Sequence, residues 1–498
     1  MSAAVAICTA AAAVYGQDTP NSVGEPALPC PVEPVYPALN LPLATLDSTV
    51  QGYIEKGFTD LLFGWEEHAR MNFACAIQAG ENTENDSLMS YCGMLLAADS
   101  AGAKDANRMA LIEKIETIPS TPVEQFYLAA LLKLASGDIA GAADDFDKRS
   151  LNYKRDIFSA AWAAMLLHCA DQGYDSTGTT LPYQQRALEA ATRFYENHPK
   201  NPLACYVRAY MEEGAPKVSE TALKAASEAV ELCPAHPMPN LLYGHLLYRS
   251  ERVEEALPYL QNAVKFSVLN EGEASLTTTG IIASLYEVTA LWSTRKENEA
   301  LKHCAQLNAI SFPKNSPALS AFVLREWEAK SFPLRALVLR ATPPSVKEIR
   351  EAAAVIAPDK PGKITDPLLH VRDCLRAALY ARARVAQKDM ANANKSLKLA
   401  EESLRKFEET KQEVFSRGTA YITPWLRAHE SCRVAILAAG ADVAADNDQS
   451  WKEIARTLVR PSTLLMPVSL PVQYGPEPVR NSPKPTTTPK SAKKQKKR

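Results

Sequence analysis

Glycine is scarce in this sequence, with 20 among 498 residues, and aromatic residues make up only 7%. The turns of an all-β protein and the loops that bind phosphate both depend on glycine, so this composition argues against either. The GxGxxG, Walker A and GxSxG motifs are all absent from the sequence. Beyond residue 16, no apolar run approaches the roughly 20 residues that a membrane-spanning helix needs. The Ala- and Leu-rich remainder favours helices.

The first residues predict an exported protein. Residues 1–16 are uncharged and small or apolar, and Val14 and Gly16 occupy the −3 and −1 positions of a signal-peptidase site before Gln17. We therefore expect a signal peptide over 1–16 and a periplasmic or envelope location, although the basic segment that usually opens a signal peptide is missing. The alternative is a cytoplasmic protein with an Ala-rich leader, which the ten cysteines without a CxxC pair favour.

Charge is distributed unevenly along the chain. The net charge is −2, and residues 480–498 carry eight Lys or Arg and no acid, which leaves −10 on the preceding residues. We predict a disordered tail over 461–498, basic from 480, because its Pro, Thr, Ser and Lys residues cannot form an apolar core. The basic residues that could contact an anionic polymer or lipid are Lys493, Lys494, Lys496, Lys497 and Arg498. No aromatic residue lies among them, so nucleic acid is not an expected partner, and a tail that only aids solubility is the alternative.

A proline-rich segment and a long helical region lie between the leader and the tail. Residues 17–46 contain seven prolines, which predicts an extended linker. From about residue 47 to 460, apolar residues recur with the 3.6-residue period of helices. Small and large residues also recur at similar spacings in this region. These repeat-defining packing positions are Gly57, Gly64, Ala69, Phe73, Ala130, Gly137, Ala142, Phe146, Gly244 and Ala256.

The spacings resemble the tetratricopeptide repeat (TPR), a pair of antiparallel helices A and B of about 34 residues. The resemblance implies that small residues let the two helices approach and that a large residue such as Phe73 fills the gap beside them. The expected fold is all-α: an α-solenoid of antiparallel helix pairs, a TPR-like superhelix without a substantial sheet. TPR-like repeats are expected over 47–365. Residues 366–460 are expected to form further helical repeats, either of the same solenoid or of a separate helical domain.

A narrower resemblance covers residues 198–264. The segment 222–234, ALKAASEAVELCP, and its surroundings are similar to a family of uncharacterised bacterial TPR proteins that carry histidines on their A helices. Tyr206 and Tyr210 stand where two of those histidines would be, and only His245 of the inner set is present. The departure puts in doubt any metal-binding or catalytic role taken over from that family.

The sequence contains no evident catalytic or metal-binding motif. Its eight histidines are scattered, and the HExxH pattern of zinc proteases is absent. We therefore predict no cofactor, no metal ligand and no catalytic residue. A metal-binding or hydrolytic protein that uses surface histidines is the alternative.

The helix A face that lines a TPR groove provides the candidate binding site. The residues that the repeat register places there are Arg208, Met211, His245, Tyr248, Arg249 and Trp292. Such a cluster suits a peptide carboxylate or an aromatic anchor, and the alternative is that these side chains only fill the packing between repeats. The predicted function is a non-enzymatic TPR scaffold that binds another protein or a peptide in this groove. An envelope component tethered by its basic tail is a further alternative.

Overall fold

A computed structural model describes most of the helical region. The described residues are 39–44, 47–97, 105–136, 138–171, 181–213, 215, 217–267, 277–310, 319–338, 340, 342–356, 366–416 and 421–443. The predicted signal peptide, most of the proline-rich linker and the basic tail lie outside them. All regular structure in the described part of the chain is helical, with no strand, which confirms the all-α prediction.

The described helices follow one another along the chain. The first seven are α1 (Ser48–Phe63), α2 (Glu66–Thr83), α3 (Leu88–Ala97), α4 (Asp105–Thr117), α5 (Pro122–Ser136), α6 (Ile139–Asn152) and α7 (Ile157–Asp171). The next seven are α8 (Pro182–Asn197), α9 (Pro202–Tyr210), α10 (Glu220–Leu232), α11 (Pro237–Arg249), α12 (Val253–Phe266), α13 (Thr278–Ser293) and α14 (Glu297–Ala309). The remaining described helices are α15 (Leu319–Val338), α16 (Val346–Ala354), α17 (Pro367–Ala386), α18 (Met390–Glu409), α19 (Lys411–Ser416) and α20 (Ile422–Val443). None of these helices is both long and apolar enough to span a membrane.

The same tight turn joins the two helices of five pairs. In each turn, the backbone N–H at the start of the second helix donates to the carbonyl oxygen five residues earlier, as in the Schellman motif. The five bonds are Trp65 N to Asp60 O, Asp138 N to Lys133 O, Arg252 N to Leu247 O, Lys296 N to Leu291 O and Asp389 N to Arg384 O. The residue before the donor is in the left-handed region in four of these turns, namely Gly64, Glu251, Arg295 and Lys388. The fifth is Gly137, which is outside the described residues.

The first and second helices of the pairs differ in burial. In α9 every side chain except that of Arg208 is buried, and all ten residues of α3 are buried. The helices α7, α11 and α13 are enclosed in nearly the same way. By contrast, α10 and α12 bury one alanine- and leucine-rich face and expose the other. The structure therefore has inner helices (α3, α7, α9, α11 and α13), which are buried on nearly all sides, and amphipathic outer helices.

Close packing between helices occurs where the repeat spacing places small residues. A Cβ atom at Gly57 of α1 would lie 2.6 Å from the Phe73 ring, and one at Gly93 of α3 would lie 2.1 Å from the same ring. A Cβ atom at Gly244 of α11 would lie 2.8 Å from Leu260 of α12. Most of the other packing positions in the described part are fully buried: Ala69, Ala130, Ala142, Phe146 and Ala256.

The first helix pair contacts inner helices that are distant in the sequence. The Tyr206 hydroxyl of α9 donates to the carbonyl oxygen of Phe63, 143 residues away, at 2.8 Å. His236, which caps α11, lies 3.3 Å from Asp60 of α1. The first helix pair therefore packs against α9 and the start of α11.

Helix α15 separates two apolar cores. Leu324 and Phe332 of α15 belong to the core that the helices before it form, whereas Val323 and Trp327 belong to the core formed with α16–α20. The helices after residue 366 therefore share their core with α15 and α16.

Candidate functional site

The two arginines of the predicted groove organise a turn within the chain. Arg208 Nη1 donates to Glu212 Oε1 at 2.9 Å, and Glu212 Oε2 accepts the Ser219 N–H at 3.0 Å. Arg249 donates to the carbonyl oxygens of Glu212, at 3.3 Å, and Ala215. Arg208 thus links Glu212 to α9, and Arg249 links Glu212 and Ala215 to the end of α11.

Two other residues of the predicted groove lie in the interior. Met211 is fully buried, and its carbonyl oxygen accepts the side-chain amide of Gln184 at 2.6 Å. His245 is also buried, with Nε2 at 3.0 Å from Glu213 Oε1 and its ring 4.8 Å from that of Tyr286. Neither side chain is accessible to a partner in this structure.

The residues around His245 form a buried cluster that holds phenols in the neutral state. Burial, together with the nearby carboxylate of Glu213, raises the pKa of Tyr210 and of Tyr286 well above the ordinary value. The same two causes raise the pKa of Tyr206. These phenols therefore stay protonated at ordinary pH and do not serve as bases or nucleophiles.

The last two groove residues lie partly exposed at the ends of α11 and α13. The Tyr248 hydroxyl is 3.2 Å from Ser293 Oγ, and the Trp292 ring packs edge-on against Phe332 at 5.7 Å. Of the six residues predicted to line the groove, Tyr248 and Trp292 are thus partly exposed, as are Arg208 and Arg249.

A second buried polar cluster was not predicted from the sequence. Asp60 Oδ2 accepts from His68 Nδ1 and from the Asn72 amide, both at 2.8 Å, while Oδ1 lies 3.3 Å from His236 Nε2. The indole ring of Trp65 stacks on His68 with ring centroids 4.2 Å apart. The signal available in the sequence was a carboxylate inside the apolar run FTDLLF.

Burial and pairing shift the pKa values of Asp60 and His236 in opposite directions. Burial alone would raise the pKa of Asp60, but the charge and hydrogen bonds of His68 and His236 hold it below its ordinary value. Burial lowers the pKa of His236, and its hydrogen bond with Asp60 offsets only part of that effect. The cluster joins α1 to α11 and has no contact with bulk solvent at Asp60 or His236.

The described residues do not bring metal ligands together. Within the part of the chain that the structure covers, no group of three or more His, Cys, Asp or Glu side chains is arranged to hold a metal ion. His303 and His429 instead approach Glu287 and Glu408, at 3.5 and 2.8 Å, on separate helices.

None of the large apolar side chains that are strongly exposed in the described part of the chain belongs to an inner helix. Among the described residues, the most exposed are Tyr153 (59%), Leu399 (56%) and Leu151 (53%). Leu151 and Tyr153 are at the turn between α6 and α7, and Leu399 is on α18. The strongly exposed apolar side chains that a partner could contact are therefore on outer helices and turns.

Comparison with protein-family models and with curated proteins finds no match to this chain. Functional inference therefore rests on the residues and their geometry.

Proposed function

We propose that this chain is a non-enzymatic helical-repeat scaffold that binds another protein or a peptide. The distribution of its side chains supports this function best. The inner helices keep their polar residues in contacts within the chain, whereas the outer helices and turns expose charged and apolar side chains. Arrays of helix pairs stabilise each pair through its neighbours and present an extended surface, which suits partner binding.

The enclosure of the acid–base groups favours binding over catalysis. The closest carboxylate–imidazole pairs in the interior are Asp60 with His68 or His236, and Glu213 with His245. All five side chains are buried, whereas a general acid or base must reach a proton of the substrate. Their contacts link helices, and this is the role that we assign to them.

The test is partner capture by the immobilised full-length chain from an extract of the source organism, with envelope and cytosolic fractions kept separate. Captured proteins are identified by mass spectrometry, and each candidate is then purified and titrated calorimetrically. A denatured sample of the chain on the same resin is the control. We expect one protein that binds with defined stoichiometry in physiological salt. Recovery of no such protein, together with turnover of a small-molecule substrate by the purified chain, would overturn the proposal.

A further inference from the structure

The turn between α6 and α7 combines exposed apolar and basic side chains. Leu151 and Tyr153 are 53% and 59% exposed, and the neighbouring Lys148, Lys154 and Arg155 are exposed as well. Single exposed apolar residues are common on protein surfaces and need no explanation. Here two of them lie within three residues of each other and are flanked by cations.

This turn is held in one conformation by contacts below it. The Arg149 guanidinium lies 4.8 Å from the centre of the Tyr153 ring, and its Nε donates to Asp156 Oδ2 at 2.6 Å. The Tyr127 hydroxyl donates to the same carboxylate at 2.9 Å. The backbone N–H of Asp156 donates to the Tyr153 carbonyl oxygen at 2.9 Å, which closes the turn. A surface fixed in this way loses little conformational entropy when it binds.

The next turn along the array adds to the same surface. His198, in the turn between α8 and α9, donates through Nε2 to the Lys154 carbonyl oxygen at 3.0 Å. Lys200 follows in that turn and is exposed. We define the basic edge as Lys148, Leu151, Tyr153, Lys154, Arg155 and Lys200.

The cations of the basic edge have no carboxylate partner among the described residues. No ion pair within the described part of the chain involves Lys148, Lys154, Arg155 or Lys200. The carboxylates adjacent in sequence are already bonded elsewhere: Asp147, beside Lys148, to Arg186 and Arg193, and Asp156, beside Arg155, to Arg149 and Tyr127. The basic edge is thus a local positive region on a chain whose first 479 residues carry a net charge of −10.

We infer that the basic edge binds a short acidic segment of a partner protein, with one apolar side chain of that segment seated on Leu151 and Tyr153. The inference rests on the proposed scaffold function and names the surface and the kind of partner. Charge complementarity selects the acidic residues, and the exposed ring and aliphatic side chain select the apolar one. A long polyanion such as RNA would extend beyond these four cations along a chain whose first 479 residues have a net negative charge, which favours a short peptide instead.

The test uses a fluorescent peptide of about a dozen residues in which Asp and Glu surround a central Leu. Binding to the full-length chain is followed by anisotropy at low and at physiological salt. The probe for charge alone is the same peptide with Ser in place of Leu, and the other probes are a duplex RNA and vesicles that contain phosphatidylserine. We expect the chain to bind the Leu peptide more tightly than any of the other three probes. Its affinity for the Leu peptide should decrease, but not disappear, as the salt concentration rises.

Two variants of the basic edge and two matched controls complete the test. Combined Lys154→Glu and Arg155→Glu substitution should weaken binding of the Leu peptide by at least about tenfold, because it replaces attraction by repulsion. Leu151→Ser should weaken it at least about fivefold and leave the Ser peptide unaffected. Lys398→Glu and Leu399→Ser, which alter a cation and an apolar residue of similar exposure on α18, should change neither affinity. Circular dichroism of each variant checks that it is folded.

Several results would overturn the inference: no binding of the Leu peptide, equal effects of the edge and control variants, or tighter binding of RNA or vesicles that the edge variants abolish. Partner capture with the variants separates the two proposals. If the double charge variant retains the partner that the unaltered chain captures, the scaffold function stands and the basic edge is not its site. If the unaltered chain captures no partner, the scaffold function itself fails.

Discussion

Phe73 lies between two glycines of different helices, so a single methyl group can test the packing between the first two helix pairs. Gly57 of α1 and Gly93 of α3 face the same ring, and a Cβ atom at either would approach it to 2.6 or 2.1 Å. Ordinary van der Waals contacts between carbon atoms lie near 3.5–4.0 Å. A phenyl ring is rigid and fully buried here, so it cannot move aside without displacing its own neighbours.

Two opposing effects determine the free energy of unfolding of a Gly→Ala variant in these helices. Alanine is favoured over glycine inside a helix by about 0.5–1 kcal/mol. Overpacking a core by one methyl group costs about 1–3 kcal/mol, and the 2.1 Å approach at Gly93 places this site at the upper end. Gly52 of α1 has nothing within 4 Å of the added atom. We therefore expect Gly52→Ala to stabilise the chain by up to about 1 kcal/mol and Gly93→Ala to destabilise it by about 1–2 kcal/mol.

Urea unfolding of the full chain, followed by circular dichroism, measures both changes. The Phe73→Leu substitution supplies the decisive comparison, because a smaller side chain leaves room for the methyl group. In the double variant Phe73→Leu with Gly93→Ala, the two effects should be non-additive by about 0.5–3 kcal/mol, the range measured for residues in direct contact. If Gly93→Ala is as stable as Gly52→Ala, or if the two changes at Phe73 and Gly93 simply add, the packing described here is wrong.

Four further predictions concern other parts of the chain. Glu328 is buried between Arg335 and Arg427, which hold its pKa at about 2 although burial alone would raise it. Glu328→Gln should therefore lower the free energy of unfolding, measured in urea, by about 3–5 kcal/mol. A decrease of less than about 1 kcal/mol would contradict the pairing. Because the pKa of His236 in the folded chain lies below its ordinary value of 6.5, the unfolded chain takes up this proton first as the pH falls. The melting temperature should therefore decrease below about pH 6.5, less steeply in His236→Asn, and parallel curves would exclude this origin. Elemental analysis of the purified chain after dialysis against a weak chelator should find no stoichiometric zinc or iron, and about one metal per chain would reopen the metal-binding alternative. Ala256→Leu should lower stability by about 1–3 kcal/mol, which thermal melts would detect, because Ala256 is fully buried where α11 meets α12.

The helical architecture could be predicted because its causes are local. The 3.6-residue period follows from the burial of one face of a helix, and the spacing of small and large residues follows from the close approach of two helices. Gly64 illustrates this, since it lies at φ 89° in a turn whose closing hydrogen bond also occurs between α5 and α6, α11 and α12, α13 and α14, and α17 and α18. At Glu251, Arg295 and Lys388, residues with a Cβ atom occupy the equivalent left-handed position, so glycine alone would not have revealed those turns.

The environment of the candidate groove could not be predicted because its causes are not local. The repeat register places Met211 and His245 on one face of their helices, but it does not indicate what covers that face. Contacts such as Tyr206 with Phe63, and His236 with Asp60, join residues that are 143 and 176 positions apart. One feature of the sequence does point to enclosure: α9, with the sequence PLACYVRAY, contains a single charged residue and thus has no polar face for solvent.

The enclosure of the inner helices also determines where recognition can occur. A buried helix is closely packed against its neighbours on nearly all sides, so the turns at its ends are held at set positions relative to one another. The turns that carry Lys154 and Lys200 are an example, since they follow α6 and α8 and are joined by the hydrogen bond from His198. The spacing of their side chains is therefore a consequence of core packing, not of the turn sequences alone. Substitutions in the core between two such turns should therefore change the affinity of a partner that binds across both turns, even though the partner contacts none of the buried residues.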